Sequence, residues 1–139
     1  MSRRALVIVL AAGSLVLPAT AQAAAGLTIS ADRARLGSPT TDVRLSGHYS
    51  CGPFTSGLPD RGVLDLEVLQ TRNGQTARAI GYLEPSVCDG TARTFSVTLT
   101  GYGARFVRGA ATWSASGYVE GDGGLQHVHV PPTPITITR

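Results

Sequence analysis

The pair Asn73-Gly74 constrains this chain more than any other feature. Asn-Gly is favoured at two-residue hairpin turns because both central positions need a positive φ, which these residues adopt at little cost. The flanks, 63–72 and 75–83, test that reading. A two-residue loop sets Arg72 opposite Gln75, Val68 opposite Ala79, Leu66 opposite Gly81 and Leu64 opposite Leu83. One face then carries Leu64, Leu66, Val68, Ala77, Ala79 and Leu83. The other carries Asp65, Glu67, Thr71, Thr76, Arg78 and Tyr82, mixed with Val63, Leu69 and Ile80. A slip of one residue would scramble both faces, so the turn and the pattern support each other.

The same alternation and the same Gly, Pro and Asn punctuation recur along the chain, and no stretch past the N-terminal segment has helical spacing. Further strands are predicted at 27–31, 42–50, 93–100, 109–119, 125–130 and 134–138. Gly101-Tyr102-Gly103 is read as ending one strand, 121–124 as a turn, and Pro131-Pro132 as an interruption. Seven or eight short strands at this spacing predict an all-β fold, an antiparallel two-sheet sandwich, with a barrel as the alternative.

The first 23 residues have the parts of a secretory signal in order: Arg3 and Arg4, an apolar run over 5–17, then Pro18 and small residues ending in Ala21-Gln22-Ala23. The apolar run falls short of the roughly 20 residues needed to cross a bilayer as a permanent helix. The expected division is therefore a signal peptide over 1–23 and a single domain over 24–139, secreted and without a transmembrane anchor. Two arginines in the lead-in also loosely fit a twin-arginine signal. Cleavage lowers the formal charge from +3 to +1, because two of the 12 basic residues leave and none of the nine acidic ones do. With basic residues spread along the sequence, a nucleic-acid partner is not expected. Every basic side chain is arginine, which excludes Schiff-base lysine chemistry.

In an oxidising compartment the two cysteines, Cys51 and Cys88, are expected to pair, and two cysteines have one connectivity. Closing the loop between them should stabilise the fold by about 4 kcal/mol in the chain-entropy model. Trp113 is expected to fill the core near that disulfide. The irregular stretch 52–62 after Cys51 is the predicted mobile loop, and Phe54, Leu58 and Arg61 are its candidate contact residues, with Phe54 folded back as a lid as the alternative.

Other candidate chemistry is sparse. His127 and His129, two apart on a predicted strand, project from one face about 6.6 Å apart and could share a metal with His48 or a carboxylate such as Asp122. The competing expectation is that they face solvent while Val128 and Val130 point inward, and no cofactor is expected. Asp65 and Glu67 could be an acid and base pair, but the hairpin register sets Arg78 beside Glu67, as in a solvated ion pair. No Gly-x-Ser-x-Gly elbow, phosphate loop or EF-hand pattern is present.

Gly47-His48-Tyr49-Ser50-Cys51, the run 64–70 ending in Gln70, Cys88-Asp89-Gly90, the run 95–99 and Phe106-Val107-Arg108-Gly109-Ala110 together resemble small secreted domains of high-GC Gram-positive bacteria. Roughly residues 27 to 119 carry the likeness. It implies an immunoglobulin-like sandwich with the cysteines paired, and it brings no catalytic residue. The resulting expectation is a non-enzymatic extracellular or envelope module presenting loops to a protein, glycan or small ligand. The alternatives are a secreted hydrolase or protease inhibitor working through 52–62, and a histidine-based metal binder.

Overall fold

The computed structural model describes residues 26–139; the export signal read over 1–23 lies outside the described residues. Seven strands are present: β1 (Thr28–Leu36), β2 (Val43–Ser50), β3 (Arg61–Arg72), β4 (Gln75–Leu83), β5 (Arg93–Gly103), β6 (Gly109–Gly121) and β7 (Gly124–Thr138). The β3–β4 hairpin has the register its turn demands, from Arg72 opposite Gln75 to Leu64 opposite Leu83. Asn73 and Gly74 have φ of 50° and 74°, and Asp122 and Gly123 between β6 and β7 repeat the arrangement at 52° and 73°. Both are tight turns of the kind that matches the strand twist.

The expected two-sheet, immunoglobulin-like sandwich is corrected by the pairing: the strands close into one barrel in the order β1-β2-β5-β4-β3-β6-β7. Closure depends on two strands that change partner along their length. β5 pairs with β2 from Arg93 to Leu99, then with β4 from Thr100 to Gly103. β7 pairs with β6 along most of its length and reaches β1 in parallel only at its end, Ile137 opposite Ala34 and Thr138 opposite Arg35. Gly101 marks the corner of β5, where a Cβ would lie 1.5 Å from the Thr41 carbonyl oxygen. Glycine there lets the connection between β1 and β2 cross against the bend, so Gly101-Tyr102-Gly103 turns the strand between neighbours and does not end it.

Pro131 and Pro132 likewise do not break the chain into two strands. They sit where the β6–β7 register shifts between Trp113 and Ala115, a bulge at which ladder bonds are already interrupted.

The barrel is filled. Leu45, Leu64, Leu66, Val43, Val68, Val119, Phe106 and Ile137 are fully buried, and Trp113 is 5% exposed. Trp113 stands opposite Val68 and Thr133, toward the end of the barrel away from Cys51, so its expected place beside the disulfide is corrected. The one buried polar side chain among the described residues, Gln70, is saturated. Its amide donates to the Val107 and Ala110 carbonyls, and its oxygen accepts from the Val107 N–H. Cys51 and Cys88 are bonded, with α-carbons 4.5 Å apart.

Candidate ligand groove

Strand registers bring the outward side chains of five strands into rows. The first row runs Tyr82 (β4), Asp65 (β3), Ser116 (β6) and His129 (β7). The second is Thr100 (β5), Ile80, Glu67 and Ser114. Tyr102, Arg78, Leu69, Thr112 and Pro134 form the third. Twist dishes this surface into a groove of about 910 Å³, with Pro132 and His129 at the β7 side and Tyr82, Tyr102 and Thr98 at the other. The groove deepens where β5 leaves β4 for β2. Val97, on the inward side of β5, is only half-buried there and lines the opening beside Gly81.

Its character is mixed. Tyr82 and Tyr102 are 63% and 57% exposed, and Ile80 is also exposed. Arg78 donates from Nε to Glu67, whose carboxylate is the more buried partner, so one acid of the pair Asp65 and Glu67 is neutralised in place. Asp65, Ser116 and His129 sit in one row, but Ser116 occupies the middle strand. Two strand spacings put the α-carbons of Asp65 and His129 about 10 Å apart. A nucleophilic triad requires the histidine between the serine and the acid, and this row has the serine between.

The 52–62 segment is placed differently from its sequence reading. Phe54 is 8% exposed, not presented to solvent. Its ring lies on Gly121, where a Cβ would be 2.5 Å from Phe54 Cδ2. The predicted mobile loop is pinned on several sides. The Gln126 amide brackets Gly52, accepting from its N–H at 2.8 Å and donating to its carbonyl at 3.2 Å. The Phe54 N–H donates to the Cys88 carbonyl, the Thr55 N–H to Asp122, and the Asp60 N–H to the Glu120 carbonyl. Leu58 remains 55% exposed, and Arg61 is engaged by Glu120, whose hydrogen bond and charge hold its guanidinium above its ordinary pKa.

His127 and His129 both face outward; His127 lies against Tyr118 with ring centres 6.3 Å apart. His48 pairs with Asp32 on the far side of the barrel. Among the described residues no three of His, Cys, Asp and Glu gather as a metal would need. No helix among them is long and apolar enough to cross a membrane.

Comparison with protein-family models, with curated proteins and with solved structures returns no match. Sequence reasoning placed Tyr82 on the outer face of its hairpin but did not make it a site residue. The signal that unites Tyr82 with Tyr102, Ser116 and His129 is the pairing of β3 with β6 and of β4 with β5, which no local pattern encodes.

Proposed function

We infer that the protein is an exported, non-enzymatic binding module whose ligand site is the groove, and that its ligand is a glycan. The observation that carries this is the pairing of two solvent-exposed tyrosines, Tyr82 and Tyr102, with a floor of hydroxyl, carboxylate, guanidinium and imidazole groups. A sugar ring presents an apolar C–H face and a rim of hydroxyls. Exposed aromatic rings accept the first, and acid, guanidinium, imidazole and hydroxyl groups fixed on strands accept and donate to the second. Strand rise and spacing set the α-carbons of Tyr82 and Tyr102 about 14 Å apart, which suits a short oligosaccharide better than a single sugar. The disulfide in a small domain, and the likeness to small secreted bacterial domains, support action outside the cytoplasm.

Electrophoresis of the native protein through gels containing soluble polysaccharides, followed by titration with oligosaccharides of the one that retards it, tests the reading. Tyr82→Ala and Tyr102→Ala should each weaken binding about tenfold, the equivalent of one buried aromatic contact. Neither should shift the melting temperature, since both rings are exposed. A broad glycan panel with no retardation, or retardation indifferent to both substitutions, would overturn the assignment.

A further inference from the structure

The groove occupies one side of the barrel; the β1–β2 face has the opposite electrostatic character. The β1–β2 register sets Arg35 directly opposite Arg44, and Arg33 lies two residues along the same outward face, opposite Ser46. All three arginines are exposed, and none makes an ion pair among the described residues. Like charges facing each other across a strand pair are destabilising, and a nearby carboxylate would ordinarily relieve them. Two carboxylates belong to this side, and both are occupied. Asp32 pairs with His48, and Asp42 accepts from the Gly101 N–H and the Thr41 hydroxyl. Arg44 is held by its neighbour, donating from Nε to the Ser96 hydroxyl at 2.8 Å. The parallel step between β1 and β7 adds the outward Thr138 beside Arg35.

We propose that Arg33, Arg35 and Arg44 form an anion-docking row that binds a linear polymer carrying phosphate groups, on the β1–β2 face of the barrel, just beyond the Thr98 rim of the groove. Guanidinium forks match phosphate oxygens two at a time, and successive arginines along a strand and across a pair engage successive charges of a chain. An anion between Arg35 and Arg44 would offset the repulsion between their like charges. Beside Arg44 and Arg35 the outward neighbours are Ser46, Ser96, Thr98 and Thr138, while Arg33 borders a shallow cleft with Pro134 and Ile135 of β7; no aromatic side chain or long aliphatic run lies there to insert into a lipid surface. Such a row would hold an exported module on a phosphate-rich matrix while leaving the groove open.

Titration of the full domain with inorganic polyphosphate tests this, and does so independently of any glycan. The wild type should bind at low ionic strength, with affinity falling steeply as salt rises. Arg35→Gln with Arg44→Gln should weaken binding at least tenfold. The distant Arg72→Gln with Arg105→Gln should leave it within twofold. If the glutamine pair folds poorly, Arg35→Lys with Arg44→Lys keeps the charge but removes the fork, and should bind between the two. Absence of binding at low salt, or equal losses from both arginine pairs, overturns the proposal. Equal affinity for polygalacturonate overturns the choice of phosphate, and tighter binding to vesicles of anionic phospholipid overturns the choice of a polymer.

Discussion

The two ends of the barrel are closed by different means. At one, the Cys51–Cys88 bond ties the loop after β2 to the connection before β5, Gln126 brackets Gly52, and Phe54 lies across Gly121 as a lid. At the other there is no covalent link. Gln70 reaches from β3 to hold Val107 and Ala110, and the Phe106 N–H donates to the Thr40 carbonyl beneath a buried ring. A disulfide acts chiefly on the unfolded ensemble by restricting it, while a buried amide acts only in the folded state. Reductant should therefore loosen one end and leave the other's local structure intact.

The sharpest way to break the comparison is to remove the bond. Cys51→Ala with Cys88→Ala should lower unfolding free energy by about 4 kcal/mol in urea titrations. Amide exchange should rise first in the 52–60 segment, with Val107 still protected. At the other end, Gln70→Leu should cost about 2 kcal/mol, because it takes the partner from the part-buried Val107 N–H and from the Val107 and Ala110 carbonyls. Here the exchange pattern should reverse, with 104–110 opening first. A milder cut, Gln126→Ala, leaves the Gly52 N–H and carbonyl short of partners at the partly exposed rim, and should cost about 1 kcal/mol by thermal melting.

The smallest effect concerns Asp89, beside the disulfide. Hydrogen bonds from the Thr91 hydroxyl and N–H, then from Arg93, hold its carboxyl down at about 2, from an ordinary 3.8. Because the folded value is the lower one, its stabilisation is complete above the ordinary value and disappears as pH falls through about 2. Asp89→Asn should thus melt below the wild type at neutral pH and coincide with it at pH about 2. Carbon-13 chemical shifts of the Asp89 carboxyl should report the depressed titration directly.

Local chemistry made the β3–β4 hairpin readable residue by residue, and a count of two cysteines with one possible connectivity made the pair readable. The errors share a cause. Proline forbids donation, not extension, so Pro131 and Pro132 fit a strand at a bulge whose position depends on β6. Gly101 looked like a stop because the reason for it, the carbonyl of Thr41, comes from another turn of the chain. Phe54 stays open between contact residue and lid in the sequence because its seat, Gly121, lies far along the chain. The arginines looked dispersed until the β1–β2 register set Arg35 against Arg44. The groove was illegible for the same reason: each of its rows crosses strands joined only by tertiary pairing.

The proline-bearing stretch of β7 also bears on how copies of this molecule meet. Before Ile137 the outer edge of β7 has no ladder partner among the described residues, and Pro134 sits in the ladder opposite Thr112 with no N–H to offer a further strand. Pro131 and Pro132 remove donors from the same strand just upstream. A second copy sliding along this edge would find gaps where a ribbon needs bonds, which works against edge-to-edge pairing along β7.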